Sequence, residues 1–196
     1  MSEAPPSEPV SRRLELLSQD SFEDLALRLL EILGRSYSEE NQEIQAILAE
    51  IRNTLEFDAM AVRLRRDGAW AVLHPDGGLN LTLGPDRKLC EPAVEGRACL
   101  CGRILHGELP GKLPCFSPGG SFWSNDYAST LEDVPQFAAM LTRGTCIRDG
   151  YASVANILLR SGNERLGILH FADRRPNLFT PAAVTYLERL GVAIGI

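Results

Sequence analysis

The sequence predicts an α+β fold: an antiparallel sheet with the terminal helices on one face and a long pocket-forming insert on the other. Three observations lead there. Helical periodicity occupies both ends of the chain, two period-2 pairs with tight turns lie between them, and residues 75–149, lacking a regular pattern, separate the pairs. Tight turns between strands imply antiparallel pairing, and such a sheet buries a face under helices.

Residues 1–19 open rich in Pro, Ser and Glu and read as a disordered tail or helix lead-in, leaving 20–196 as one domain. Phe22, Leu25, Leu29 and Ile32/Leu33 then fall on one helical stripe that Gly34 stops. Ser36 and Glu39 have the spacing of a capping box before a second stripe of Ile44, Ile47/Leu48, Ile51 and Leu55. The connection is short, so the two helices should pack antiparallel. Their stripes would serve a partner chain equally well.

Period 2 follows over residues 58–65 and 69–73, with Asp67-Gly68 in the turn of a hairpin. Residues 75–98 read as connection, Cys99 to His106 as a short helix closed by Gly107, 107–125 as loop, and Asp133 to Leu141 as another short helix. Tyr151–Arg160 and Glu164–Phe171 form the clearest hairpin, turning at Ser161-Gly162-Asn163. Thr180-Pro181 starts a last helix with Val184, Leu187, Leu190 and Ile194 on its stripe. The segment 75–149 is too long for a mere connection, and its apolar, aromatic and cysteine content argues against disorder.

Composition narrows the function. Of 196 residues, 44% are apolar and 23% charged, which excludes disorder as the general state. Twenty basic against 26 acidic residues leave a net charge of −6, so nucleic acid is not an expected partner. The charge-free run Leu113–Asn125 is far too short for a membrane span and is broken by Pro and Gly. The N-terminus lacks the basic and apolar regions of a signal peptide, and a cytoplasmic protein is expected. Five cysteines in that setting point to thiols, ligands or redox chemistry before disulfides.

Cys99 and Cys101 form a C-x-C pair, with Cys90, Cys115 and Cys146 outside it. Thiols two residues apart point the same way on an extended segment but about 200° apart on a helix, so the pair chelates only if Cys99 precedes the helix. The C-x-x-C pairs of a zinc site are missing. Each cysteine alone reads as a small buried hydrophobe. His74, His106 and His170 are hydrogen-bonded or surface residues by default, though the strand of His170 could face a cavity and bring an axial or metal ligand. Phe116, Phe122, Trp123, Tyr127 and Tyr151 could line a site for a flat or apolar ligand, or simply close the core. Arg97, Arg103, Arg143 and Arg148 could hold an anion, although solvation is the usual fate of arginine.

Three blocks resemble GAF domains, the small sensory domains of signalling proteins: Leu100–Gly107, Gly150–Arg160, and Leu166–Phe171 leading to Phe179-Thr180-Pro181. The likeness spans residues 20–196. A narrower one, to GAF domains of bacterial PAS/GAF sensor histidine kinases, lies in the Cys-Leu-Cys-Gly motif Cys99–Gly102, in Gly119–Asn125 and in Asp173–Pro176. The resemblance implies a sensor that binds a small ligand, a metal or haem, or that responds to redox state. It also implies a homodimer through the terminal helices and a downstream kinase or other output domain. It draws Cys101, Ile104, Phe122, Trp123, Cys146, Tyr151 and His170 to one ligand pocket, with Cys99, Cys101, Cys115 and Cys146 as the metal set and a haem or thiolate-bound metal as the cofactors open to it.

One enzyme, free methionine-(R)-sulfoxide reductase, has the same fold, and Cys101-Gly102 and Cys146 fall where that family has cysteines. Its Ser-Glu pair is replaced by Ala152-Ser153 and its paired aspartates by Leu169-His170-Phe171-Ala172. That reading, and a dimerisation module without ligand, stand as the alternatives to the sensor.

Overall fold

The computed structural model describes residues 19–38, 42–66, 69–73, 100–108, 113–135 and 149–194. Within them the elements are α1 (Gln19–Leu33), α2 (Gln42–Leu55), β1 (Ala59–Arg66), β2 (Ala69–Leu73), α3 (Leu100–His106), β3 (Phe122–Ser124), α4 (Tyr127–Asp133), β4 (Ser153–Ser161), β5 (Glu164–Asp173) and α5 (Pro181–Ile194). The five described strands make one antiparallel sheet in the order β2-β1-β5-β4-β3. No helix among the described residues is long and apolar enough to cross a membrane.

Alternation along the strands splits the core in two. Met60, Val62, Ala155, Ile157, Leu159, Leu169 and Phe171 pack with the apolar stripes of α1, α2 and α5. Phe57 ties this layer together, its ring 4.8 Å from Phe171 and 5.5 Å from Phe179. Phe22 of α1 stacks on Tyr186 of α5 at 5.1 Å. The intervening residues, Val154, Leu158, Ile168 and Ala172, pack on the opposite face against Leu100, Cys101, Ile104 and Leu105 of α3, with Cys115, Phe122 and Tyr127. The sequence-predicted layering holds, with terminal helices on one face and part of the insert on the other.

The predicted starts and stops have physical counterparts. Gly34 N–H closes α1 on the carbonyl of Leu30 at 3.0 Å, and Thr180 Oγ1 accepts from Ala183 N–H at 3.1 Å as the cap of α5. The β4–β5 hairpin turns at Gly162, whose φ of +56° suits glycine. One expectation needs correcting, and one falls mostly outside the described residues. Helix α4, capped by Asp126 accepting from Ser129 N–H at 3.1 Å, lies just ahead of the helix expected from Asp133 to Leu141, of which residues 136–141 are outside the described residues. The stretch 107–125, read as loop, contains β3, which pairs with β4. The Asp67-Gly68 turn, Glu39 of the capping box, residues 1–18 and 136–148 lie outside the described residues.

Two fastenings join the insert to the last helix and to the segment that leads into it. Ser117 Oγ donates to Glu188 of α5 and itself accepts from Ser121 N–H at 3.0 Å. A Cβ at Gly119 would land on the Glu188 carboxylate, so glycine is what permits this approach. Asn125 then bonds Phe179 twice, accepting from its N–H at 2.7 Å and donating to its carbonyl at 2.8 Å. The Asp173–Pro176 motif has a similar task. Asp173 is fully buried and accepts from Arg175 Nε at 2.7 Å and from Asp58 N–H at 3.3 Å, while Arg174 N–H donates to Asp58 at 2.9 Å. These contacts lock the end of β5 to the entry of β1.

Candidate functional site

The face of the sheet under α3 carries an unusual row. Register places Phe122, Asn156, His170 and Ala61 side by side on β3, β4, β5 and β1. The Gly162-Asn163 turn alone would set Asn156 opposite Leu169. A bulge prevents this: Arg160 pairs with Arg165 but Leu159 with Gly167, so Leu166 is the extra residue and the register moves by one. Beyond the bulge, Asn156 meets His170. Gly167 is part of the same device, because a Cβ there would land on the carbonyl oxygen of Arg63 in β1.

Above the row, Leu100, Cys101, Ile104 and Leu105 form the buried side of α3 while His106 is exposed and Arg103 is half-buried. The helix ends in a Schellman motif. Glu108 N–H donates to the Arg103 carbonyl at 3.0 Å and Gly107 N–H to that of Ile104 at 3.1 Å, with Gly107 at φ +72°. Arg165 of the hairpin also donates to the Ile104 carbonyl, tying α3 down onto the sheet.

Cys101 Sγ–H donates to Asn156 Oδ1 at 3.0 Å. His170 Nδ1 lies 2.9 Å from the same oxygen and 4.0 Å from Sγ. A carbonyl oxygen only accepts, so His170 carries a proton on Nδ1. Asn156 is 1% exposed, and its Nδ2 has no hydrogen-bond partner. A buried unsatisfied donor of this kind costs about 1–3 kcal/mol. Arg63, also buried, stands on the same face opposite Ile168. The aromatic wall is Phe122, flanked edge-on by Phe116 at 5.5 Å and Tyr127 at 5.7 Å.

The structure brings Cys101 and His170 together and sets Ile104, Phe122 and Cys115 in the same layer. Burial pushes the Cys115 thiol up, which keeps it protonated and poorly nucleophilic. Tyr151 is half-buried at the edge of this layer, under the guanidinium of Arg174 at 4.9 Å. Trp123 does not share this face. It sits opposite Ala155 and packs with the terminal-helix core, since alternation sends it the other way from Phe122. Cys99 and Cys146 lie outside the described residues, as do Cys90, His74, Arg97, Arg143 and Arg148. Arg103 pairs at 3.9 Å with Glu108. Among the described residues no group of three or more His, Cys, Asp or Glu side chains is arranged to hold a metal. Cys101 and His170, 4.0 Å apart through Sγ and Nδ1, are side chains of the types that ligate soft metals.

Asn156 escaped the sequence reading. Its signal was there: a lone amide inside the apolar run Val154–Leu159, where only a partnered polar group is normally tolerated.

The fold recurs in solved structures. The GAF domain of an Acinetobacter phosphoenolpyruvate-protein phosphotransferase matches with TM-score 0.55 at 13% identity, covering 91% of this chain and 92% of that one. The fold is that of GAF domains. The GAF domain of the Coxiella burnetii phosphoenolpyruvate-protein phosphotransferase agrees, with TM-score 0.55, 14% identity, and 96% and 93% coverage. Free methionine-R-sulfoxide reductase from Neisseria meningitidis shares the GAF fold at TM-score 0.54 and 15% identity, over 98% of this chain and 92% of its own. No family model matches the sequence, and no curated protein matches it.

Proposed function

We propose that this chain is a GAF-type sensory module of a signalling protein, binding a small ligand, a metal or haem, or registering redox state, between α3 and the sheet. One observation carries the reading. Three buried polar side chains, Cys101, Asn156 and His170, meet among the apolar residues under α3, and one of their hydrogen-bonding groups is left unused. Cores rarely keep such a group without a use for it. In a cofactor-bound form, His170 Nε2 and Cys101 Sγ would be the protein's ligands, and a haem or soft metal would supply the redox or gas-binding chemistry. The insert that walls the site is fastened to α5 through Glu188 and to the segment just before it through Phe179, a route by which a change at the site would reach the last helix.

The output would pass through the terminal helices to a histidine kinase or other domain in the cytoplasm. An apolar groove of 280 Å³ between α1 and α5, lined by Phe22, Leu29, Leu30, Tyr186 and Leu190, suits a homodimer, and Leu27 and Val192 are exposed nearby. Sedimentation at micromolar concentration tests it: a dimer is expected, and a monomer throughout contradicts that part.

The test of the cofactor is the visible spectrum and metal content of freshly purified protein. A Soret band or stoichiometric iron, zinc or copper, lost in both Cys101→Ser and His170→Ala, supports a cofactor; a colourless metal-free protein leaves an organic ligand or the thiol itself as the sensed species. A second reading, reduction of free methionine-R-sulfoxide, is favoured by Cys101 on the pocket face. Asn156 and His170 occupy the row where that chemistry would need carboxylates, so no turnover with a dithiol reductant is expected; sustained turnover would replace the sensor with an enzyme.

A further inference from the structure

We infer that the face formed by α1 and α5 seats a second copy of this chain with the two-fold axis running along the helices, so that α1 of each copy lies over α5 of the other. The inference rests on the proposed homodimer and names the residues that set its direction.

The groove fixes how the two helices run. Phe22 stacks on Tyr186 at 5.1 Å, and from there the lining advances toward the C-terminus on both helices, to Leu33 on α1 and to Ala193 on α5. Helices whose lining residues advance together from one contact run parallel. Along them Leu27, Leu30 and Val192 are each more than half exposed, so the apolar surface continues past the groove. An apolar patch with charges at its rim marks an interaction surface.

The charges choose the arrangement. The exposed side of α1 is acidic, with Asp20, Glu23, Asp24 and Glu31 against Arg28, which pairs with Glu50 of α2 at 3.0 Å. On α5 the exposed charge is Arg189, over the ring of Tyr186 at 5.7 Å, while Glu188 is drawn to Ser117. Glu23 on one bank of the groove and Arg189 on the other make the face complementary to itself. A two-fold axis along the helices sets Arg189 of each copy against the acidic α1 of the other. An axis across the helices would lay α1 on α1, acid on acid, which like-charge repulsion opposes. The levels agree. Glu23 follows Phe22 directly and Arg189 lies almost one turn past Tyr186, an offset along the axis of about 3 Å that two long side chains span.

Sedimentation of the whole chain at micromolar concentration, with charge reversals, tests the arrangement. Glu23→Arg and Arg189→Glu should each weaken the dimer by about ten-fold or more, since each sets like charges together at two symmetric places. Mixing the two variants should restore association as a heterodimer, because each reversed charge then meets an opposite one; a merely structural loss would not be repaired by mixing. Circular dichroism establishes folding. If either reversal fails to fold, Glu23→Gln and Arg189→Gln serve instead, each expected to weaken the dimer by about three-fold. A parent that stays monomeric overturns the inference together with the homodimer it rests on. A parent dimer weakened by Leu30→Gln but by neither charge variant, or single losses that mixing does not repair, overturns the inference and leaves the homodimer standing. A dimer insensitive to Leu30→Gln as well uses another face and overturns the inference too.

Discussion

The carboxamide oxygen of Asn156 lies 2.9 Å from Nδ1 of His170, directly across the β4–β5 ladder, and a third group, the Cys101 thiol, donates to the same oxygen. The imidazole is thereby held in the Nδ1–H form. Replacing His170 by Phe removes one donor from a shared buried acceptor and should cost about 1–2 kcal/mol in urea unfolding. Long-range proton–nitrogen NMR of the parent should show the Nδ1–H tautomer. An Nε2–H ring, or a variant as stable as the parent, would contradict this geometry.

Gly167 sets how closely β5 approaches β1. In Gly167→Ala the new methyl falls on the Arg63 carbonyl oxygen, and the strands must part. We expect a loss of about 1–3 kcal/mol by thermal unfolding, as overpacking in a well-filled site does. Unchanged stability would mean that the ladder has slack the register does not suggest.

The layers were legible because periodicity is a local signal. The stripes Phe22–Ile32 and Ile44–Leu55, the Gly162 turn and the Thr180 cap each depend on residues a few positions apart. The site was only half legible. Cys101 and His170 announce their chemistry by type, but their meeting depends on the bulge at Leu166, which moves the ladder by one residue and leaves no mark a turn rule can read. Trp123 failed for a related reason. With residues 107–125 read as loop, no alternation could be assigned to it, although Phe122 and Trp123 necessarily face opposite ways once β3 pairs with β4.

The Ser117–Glu188 fastening makes a prediction about coupling. Gly119→Ala should expel the Glu188 carboxylate and cost more than Ser117→Ala, which removes one hydrogen bond worth about 1 kcal/mol. Hydrogen exchange should show faster opening of α5 in both variants, with β1 unchanged. Equal protection of α5 in parent and Gly119→Ala would break the proposed route from insert to last helix.

Stability should depend on pH at both ends of the range. The Cys115 thiol is raised above its ordinary 9.0 by burial, so between its unfolded and folded values the unfolded chain binds fewer protons. Stability from this group is complete below about pH 9 and falls as pH rises further, and Cys115→Ala should flatten the slope. Asp126 is held below the usual carboxylate range, first by Ser129 N–H, so the α4 cap contributes above the unfolded carboxylate value and is lost as pH falls through the folded one. A denaturation series across pH in the parent and Asp126→Ala checks the acid limb; parallel curves would contradict it.

The central claim is that the polar cluster of Cys101, Asn156 and His170 takes a non-covalently bound small molecule or metal. Native mass spectrometry of freshly purified protein, repeated in denaturing solvent, tests it most directly. The account predicts a mass above that of the 21.5 kDa chain or its dimer, released on denaturation and missing from a folded Cys101→Ser, His170→Ala double variant. A native mass equal to the bare chain or dimer, or an adduct that survives in the double variant, would contradict it.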